Sequence, residues 1–329
     1  MKKYLSLLLA VFIAFGAVSF ASASNAPADA PQSLHAQGDP IVIGSKDFTE
    51  QQFLGYIILV ALEANGYAVE DQIGLGGTAV ARAALENGEI DVYPNYTATA
   101  ALQSLPALGF EIDPEIAKDA YRSYAAVSSL DAAYNDLVWL EPAPANNTYT
   151  MAVTREFSEA NGITDFVQLA EWINAGNDVR LISNEEFTTR DDALVTFEDT
   201  YGFEISRDNI ESLPGAVTSS AHQQLASGEG GYNIAVAYGT DGTLAALDLV
   251  ALADPLGAQP VYQPTPVFRG EVLRSNPEIA DILNPIFRTF DVATLQEWNT
   301  NAALGQEGEA QSIKDVARAY LVENGFISE

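Results

Sequence analysis

Short apolar runs alternate along this chain with longer segments whose apolar residues recur every three or four positions. A run at residues 41–43, for example, precedes a segment at residues 50–64 whose apolar positions are Phe53, Leu54, Ile57, Ile58, Ala61 and Leu62. The run predicts a buried strand, and the spaced positions predict a helix with one apolar face. The alternation continues to residue 140 and resumes from residue 149 to residue 238. It predicts an α/β fold with mainly parallel sheets flanked by helices.

Two stretches depart from this alternation. Residues 277–324 have helical spacing almost throughout, which predicts a group of C-terminal helices. Residues 263–266 (QPTP) contain two prolines, which cannot donate the hydrogen bonds of a sheet. We therefore expect this segment at the edge of a sheet or at a cleft between domains.

A weak internal repeat predicts two similar lobes. The paired motifs are SKDFTEQ (45–51) with SNEEFTTR (183–190), and ALENGEIDVYPNYT (84–97) with QLASGEGGYNIAVAYGT (224–240). Two α/β lobes that face each other would place the carboxyl ends of their strands around a shared ligand cleft. We expect one lobe to comprise residues 40–145 and 251–329, and the other to comprise residues 146–250.

Two polar turns stand out in the first predicted lobe. The turn after the first strand contains Lys46, and Asp47 with Glu50 three positions later predicts a helix N-cap and its reciprocal partner. The glycine-rich turn GLGGT (74–78) resembles a phosphate-binding loop. It lacks the following lysine and the glycine spacing of the nucleotide motifs, so we interpret it as a tight strand-to-helix turn.

Composition excludes several classes of function. The formal net charge of -30 makes nucleic acid a very poor partner. The chain has no cysteine, which removes disulfides, thiol nucleophiles and thiolate metal sites. Its histidines are His35 and His222, too few for a histidine metal cluster, and a Ser/His/Asp triad is nearly excluded unless His222 serves it alone. We expect no cofactor and no metal.

The N-terminal residues have the pattern of an export signal. Lys2 and Lys3 precede an apolar run at residues 7–18, and Ala21-Ser22-Ala23 has the small-residue pattern of a cleavage site. We expect a signal peptide at residues 1–23 and a disordered, Ala/Pro/Ser-rich spacer at residues 24–39. Since there is no cysteine for a lipid anchor, we expect a soluble protein exported across the inner membrane to the periplasm or another extracytoplasmic location.

Seven polar and aromatic residues lie at predicted strand ends or cleft segments: Lys46, Tyr96, Thr99, Tyr149, Arg190, Tyr238 and Tyr262. Tyrosine faces attract a quaternary ammonium through cation–π interactions of about 0.5 to 2 kcal/mol per ring. Arg190, helped by Lys46 and Thr99, could hold a carboxylate. Two alternatives remain open: each tyrosine taken alone is more typical of packing, and Arg190 could simply pair with Asp191 or Asp192.

The motifs IVIGSKDFTEQ, GLGGT, NGEIDVYPNYTAT, NNTYTMAV, EFTTR, VAYGTDG and YQPTPVFR occur in order from Ile41 onward. Together they resemble the substrate-binding proteins of ABC importers for glycine betaine, choline and related solutes. The resemblance implies a two-lobe, type II-like periplasmic binding fold that closes on its ligand and presents it to a membrane permease. It also implies a quaternary-ammonium cage of Tyr96, Tyr149, Tyr238 and Tyr262, with the carboxylate at Lys46, Thr99 and Arg190.

The chain departs from the family pattern at two places. It has YPNYTAT where the family commonly has YPEYTGT, and RDDA at residues 190–193 where the family often has RPDG. Both changes lie at the rim of the expected cleft, so they leave the preferred amine open among glycine betaine, choline, carnitine and proline betaine.

We expect a monomeric binding protein that is not an enzyme. Two rival hypotheses are a receptor for another polar solute, such as an amino acid or ectoine, and a secreted hydrolase that uses Glu185 or Glu186 with Asp191. The hydrolase is the weaker of the two, because carboxylates close together mean little in a chain this acidic.

Overall fold

The computed structural model describes residues 39–214, 217–304 and 312–328. The expected signal peptide, and the expected spacer up to residue 38, lie outside the described residues. Within the described part, no helix is both long enough and apolar enough to cross a membrane.

The described strands form two five-stranded sheets, one in each lobe. The strands are β1 (Ile41–Gly44), β2 (Val69–Gln72), β3 (Val92–Tyr96), β4 (Leu137–Trp139), β5 (Tyr149–Thr154), β6 (Leu181–Asn184), β7 (Ile210–Leu213), β8 (Ile234–Tyr238), β9 (Leu249–Ala251) and β10 (Pro264–Arg269). The first sheet has the order β2-β1-β3-β10-β4 and the second has the order β7-β6-β8-β5-β9. The chain therefore passes between the sheets after β4 and again after β9.

Helices cover these sheets. They are α1 (Thr49–Ala64), α2 (Thr78–Asn87), α3 (Thr97–Thr99), α4 (Leu105–Ala107), α5 (Pro114–Ala117), α6 (Ala120–Tyr134), α7 (Arg155–Asn161), α8 (Phe166–Asn174), α9 (Glu185–Thr189), α10 (Leu194–Tyr201), α11 (Ser219–Ser227), α12 (Thr243–Ala246), α13 (Gly270–Ser275), α14 (Ile279–Phe287), α15 (Val292–Leu304) and α16 (Ile313–Glu323). A π-helical turn, Ala100–Ser104, joins α3 to α4.

Strand pairing is mixed in both sheets. Strand β1 is parallel to β2 and β3, and β6 is parallel to β7 and β8. Strand β10 is antiparallel to β3 and β4, and β5 is antiparallel to β8 and β9. The predicted α/β fold is confirmed, but the expectation of mainly parallel pairing is wrong. The antiparallel pairs all involve β5 or β10, the first strand that the chain forms after each passage between the sheets.

The proline-containing strand β10 lies inside the first sheet, between β3 and β4. An edge position is therefore wrong, although the start of the strand does lie at the cleft. The prolines are tolerated because their carbonyl groups still accept hydrogen bonds. Pro266 accepts from Leu140 N at 3.0 Å, and Pro264 accepts from Ala143 N at 2.8 Å. Pro266 also stands opposite Pro94 of β3, so both residues without an N–H group share one position of the ladder.

Helix α1 anchors the C-terminal helices to the first lobe. Its predicted apolar positions, from Phe53 to Leu62, are fully buried. Phe53 contacts the rings of Phe290, Trp298 and Tyr320, with centroids 5.9, 6.3 and 6.0 Å away. Burial of one such side chain stabilises the fold by about 1.5–3 kcal/mol. The returning chain thus packs on the same lobe as the first strand.

The start of α1 differs from the prediction. The helix begins at Thr49, and its N-cap residue is Phe48, which makes no capping hydrogen bond through its side chain. The predicted capping pair of Asp47 and Glu50 is therefore wrong. The Glu50 side chain points into the interior instead, where it contacts residues of three other segments.

Candidate functional site

One small cavity collects all seven residues that the sequence predicted. Its volume is about 20 Å³. The lining residues are Lys46, Phe48, Tyr96, Thr99, Asn147, Tyr149, Glu186, Arg190, Tyr238 and Tyr262. They come from both lobes, so the cavity lies where the two lobes meet.

Strand direction explains why the tyrosines meet. Tyr96 and Tyr238 are the last residues of β3 and β8. Tyr149 is the first residue of β5, and because β5 runs antiparallel to β8 it stands directly opposite Tyr238. Tyr262 precedes β10, whose first residue, Pro264, pairs with Tyr96. A strand end and the start of its antiparallel neighbour lie at the same edge of a sheet.

Five aromatic rings surround the cavity, and we call them the aromatic cluster: Phe48, Tyr96, Tyr149, Tyr238 and Tyr262. The ring centroids of Tyr149 and Tyr238 are 4.9 Å apart, and Tyr262 meets Tyr149 edge-on at 6.0 Å. Phe48 stacks between Tyr96, at 6.3 Å, and Tyr238, at 5.4 Å. Phe48 thereby connects the rings of the first lobe to those of the second.

The four tyrosines are buried, and burial raises the pKa of each of their hydroxyl groups. They therefore stay neutral. The Tyr96 hydroxyl donates to Glu50 Oε1 at 2.7 Å, and the Tyr262 hydroxyl donates to Asp192 Oδ2 at 2.7 Å. These bonds fix the two rings and make them slightly more electron-rich.

Glu50 lies behind the aromatic cluster and is only 3% exposed. Its Oε1 also accepts from Asn147 Nδ2 at 2.5 Å, and its Oε2 accepts from Asn299 Nδ2 at 2.8 Å. Burial raises the pKa of this carboxyl group, although the surrounding donors oppose the shift. The hydrogen bonds show that Glu50 positions Tyr96 and ties α1 to the segment after β4 and to α15.

Lys46 lies against Tyr96, 2% exposed. Its Nζ donates to Thr78 Oγ1 at 2.9 Å and lies 5.2 Å from the centroid of the Tyr96 ring. Burial lowers the pKa of Lys46 to about 8, although the nearby Glu186 and Asp192 carboxylates act in the opposite direction. The lysine is therefore mainly charged at neutral pH, but it loses its charge in mildly alkaline solution.

Arg190 lies on the other side of the cavity and is paired within the second lobe. Its Nε and Nη2 donate to the two carboxylate oxygens of Asp192 at 2.9 and 2.6 Å. Its Nη1 donates to Glu186 Oε2 at 3.0 Å. Arg190 also lies 5.5 Å from the centroid of the Tyr149 ring. The open alternative of an Arg190–Asp192 pair is thus confirmed, but the pair is buried rather than on the surface.

The charges around the cavity balance. Burial alone would raise the pKa of Glu186 and of Asp192, but Lys46 and Arg190 hold the Glu186 pKa below its usual value, and Arg190 does the same for Asp192. Two cations therefore face two carboxylates. The arrangement can offer aromatic faces to an ammonium group, whereas an incoming anion would have to compete with the carboxylates already there.

The residues considered for metal binding or hydrolysis lie in different surroundings within the described part of the chain. No group of three or more His, Asp or Glu side chains in the described part could hold a metal ion. His222 is buried, with ring nitrogens 2.7 Å from Thr243 Oγ1 and 2.9 Å from the Val236 carbonyl oxygen. The Glu186 carboxylate accepts hydrogen bonds from Thr78 and Arg190, and the Asp191 side chain is exposed.

Sequence reasoning missed three lining residues: Phe48, Asn147 and Glu186. Phe48 and Glu186 lie inside the two repeated motifs, two residues after Lys46 and four residues before Arg190, so the repeat was a usable signal for both. Asn147 lies in the passage between the sheets, where no periodic pattern distinguishes one polar residue from the next.

Comparison with known proteins shows the family of this chain. Residues 39–323 match the family described as the substrate-binding domain of ABC-type glycine betaine transport systems. The chain is 41% identical over 288 residues to the glycine betaine-binding protein YehZ of Escherichia coli (strain K12), covering 87% of this chain and 91% of that protein. It is 32% identical over 300 residues to a glycine-betaine-binding protein of Pseudomonas aeruginosa, covering 89% and 91%.

The fold resembles that of a solved structure from the same family. The structure of apo YehZ from Escherichia coli superposes with a TM-score of 0.65 at 41% identity, covering 88% of this chain and all of that one. The predicted two-lobe binding fold is confirmed, and so is the expectation that the protein binds a solute rather than transforming one. The chain belongs to the family of substrate-binding domains of ABC-type glycine betaine transport systems.

Proposed function

We propose that this protein captures glycine betaine or a related quaternary amine outside the cytoplasm and delivers it to the permease of an ABC importer. The observation that carries the proposal is the aromatic cluster, in which five rings from both lobes converge on one cavity. The names of the Escherichia coli and Pseudomonas aeruginosa relatives support glycine betaine as a ligand.

The chemistry of a quaternary ammonium explains the choice of side chains. Such a group has no N–H to donate, so carbonyl and carboxylate acceptors gain little from it beyond charge attraction. Ring faces attract it by about 0.5 to 2 kcal/mol each, and more when water is excluded. Because the tyrosine hydroxyls are neutral, and those of Tyr96 and Tyr262 donate to carboxylates, the ring faces supply this attraction.

Binding requires the lobes to move. A cavity of about 20 Å³ has room for about one water molecule, whereas a trimethylammonium group is several times larger. We propose that the lobes, residues 40–145 with 251–329 and residues 146–250, separate about the segments between the sheets and close around the ligand. The ligand then favours the closed form through contacts that need both lobes.

The proposed cage comprises Tyr96, Tyr149, Tyr238 and Tyr262, with Phe48 as a fifth ring. The proposed carboxylate contacts are Lys46, Thr99 and Arg190. We also propose that the protein is an exported monomer. Light scattering coupled to size-exclusion chromatography checks the monomer, and fractionation of cells that express the full chain checks the location.

A ligand panel tests the function. Purified protein is titrated by calorimetry with glycine betaine, choline, carnitine, proline betaine, proline and ectoine. We expect at least one quaternary amine to bind and to raise the melting temperature, and proline and ectoine to bind at least tenfold more weakly. Tighter binding of proline or ectoine than of every quaternary amine would make the protein a receptor for another class of solute and would refute the proposal.

A further inference from the structure

Glu186 of α9 bridges the two lobes. Its Oε1 accepts from Thr78 N, the first residue of α2, at 2.7 Å, and its Oε2 accepts from Thr78 Oγ1 at 3.1 Å. Thr78 belongs to the first lobe and also accepts from Lys46 Nζ at 2.9 Å. With Arg190 and its partner Asp192, these residues form one connected set, the ion network: Lys46, Thr78, Glu186, Arg190 and Asp192.

The contacts of Glu186 are those that an anionic ligand group would need. They are a backbone N–H at the start of a ten-residue helix, a hydroxyl group, a guanidinium and a nearby ammonium. The glycine-rich turn is shaped for this approach, because a Cβ atom on Gly77 would lie 2.8 Å from Glu186 Oε1. The carboxylate therefore occupies a prepared anion position next to the aromatic cluster.

Charge balance makes this position difficult for a second carboxylate. The ion network has two cations and two carboxylates, and the side chains of Glu186 and Arg190 are only 15% and 8% exposed. A ligand carboxylate placed beside Lys46 and Arg190 would bring a third negative charge into a poorly solvated site, which is unfavourable unless one carboxylate leaves.

Glu186 has space into which it can move. Glu186 and Arg190 also line a second cavity, of about 370 Å³, together with Thr78. Glu186 therefore lies on the wall between this cavity and the smaller one enclosed by the aromatic cluster. Rotation of its side chain into the larger cavity would open the anion position without a rearrangement of α9.

We propose that Glu186 is a specificity-determining residue that competes with the carboxylate of the ligand. A zwitterionic betaine must displace it, whereas a quaternary amine without a carboxylate, such as choline, binds with Glu186 in place. This inference rests on the proposed function. It concerns which chemical class of quaternary amine the site binds most tightly. It predicts that the charge of Glu186 weakens the binding of betaines and strengthens the binding of quaternary amines without a carboxylate.

Glu186→Gln tests the inference, since glutamine keeps the shape and the acceptor oxygen but removes the charge. Glu185→Gln is the matched control: it makes the same change one residue earlier in α9, at an exposed position. Dissociation constants for glycine betaine and choline are measured by calorimetry for the wild type and both variants. We expect the choline-to-betaine ratio of dissociation constants to rise at least tenfold in Glu186→Gln and to stay within twofold of wild type in Glu185→Gln.

The outcomes separate the two proposals. If the wild type binds no quaternary amine, the proposed function fails. If the wild type binds but the ratio in Glu186→Gln is unchanged, or shifts toward choline, the inference about Glu186 fails alone. Glu186→Ala serves as a second variant, with circular dichroism to check folding. Failure of both variants to fold would also overturn the inference, because a side chain that a ligand displaces is not one that the fold requires.

Discussion

The charge of Lys46 provides a direct test of the proposed anion contacts. Burial lowers the pKa of Lys46 to about 8, while Glu186, Asp192 and Asp47 favour its charged form and Arg190 disfavours it. The other charges of the ion network persist in mildly alkaline solution, because the pKa values of Glu186 and Asp192 are lowered and that of Arg190 is raised. Within the ion network, raising the pH from 7 to 9 therefore changes mainly the charge of Lys46.

The size of the effect follows from the pKa. With a pKa of about 8, Lys46 is charged in about nine-tenths of molecules at pH 7 and in about one-tenth at pH 9. If the betaine carboxylate binds only when Lys46 is charged, its affinity falls about tenfold over this range, which corresponds to about 1.4 kcal/mol. Neither charge of glycine betaine titrates between these pH values, and the buried tyrosines stay neutral because their pKa values are raised.

Calorimetric titrations at pH 7, 8 and 9 measure this change. Choline is the ligand control, since it has no carboxylate and should lose no more than about twofold over the same range. Lys46→Met is the protein control, because it keeps an apolar stem of similar length and should abolish the pH dependence for glycine betaine. A betaine affinity that is equal at pH 7 and 9, or that falls equally in Lys46→Met, would show that Lys46 does not contact the carboxylate.

Three further substitutions test the roles of other side chains. Tyr238→Ala removes the ring 4.9 Å from Tyr149 and should weaken betaine binding at least about tenfold by calorimetry; unchanged affinity would contradict the cage. Arg190→Ala leaves the site more negative, so titrations should show a larger loss for glycine betaine than for choline, and the reverse order would contradict a carboxylate contact. Glu50→Ala should lower the free energy of unfolding in urea by about 3 kcal/mol, because Tyr96 and Asn147 lose their carboxylate acceptor and Asn299 keeps only the Thr240 carbonyl; an unchanged urea midpoint would refute this.

The sequence predicts which residues line the cavity where strand geometry decides the outcome. Tyr238 ends an apolar run, and Tyr96 lies three residues after Val92-Tyr93, so their place at the carboxyl ends of strands, and hence at the cleft, follows from the alternation of strands and helices. The repeat of SKDFTEQ at SNEEFTTR likewise places Lys46 and Arg190 in corresponding strand-to-helix segments of the two lobes, although at different positions within the motif. Both inferences need only local patterns and the direction of strands.

Glu50 shows where such reasoning fails. Its spacing from Asp47 matches a local capping pattern, but its actual partners Asn147 and Asn299 are 97 and 249 residues away in the chain. A local pattern cannot report contacts that form only when the two lobes and the C-terminal helices pack together. The same reason explains Pro264 and Pro266, whose interior position depends on donors from residues 140 and 143.

The two halves of the proposed site recognise their ligand by different physics. The rings of the aromatic cluster are neutral, and the hydroxyls of Tyr96 and Tyr262 donate to Glu50 and Asp192, so a quaternary ammonium enters without breaking an ion pair. Its affinity should therefore depend little on pH. The ion network is the opposite case. Arg190 is buried and paired with Glu186 and Asp192, and the charge of Glu186 favours the charged form of the buried Lys46, so a ligand anion must exchange with a carboxylate of the protein. We therefore propose that the tyrosines select a quaternary amine, whereas the balance between Glu186, Lys46 and Arg190 decides which quaternary amine binds most tightly.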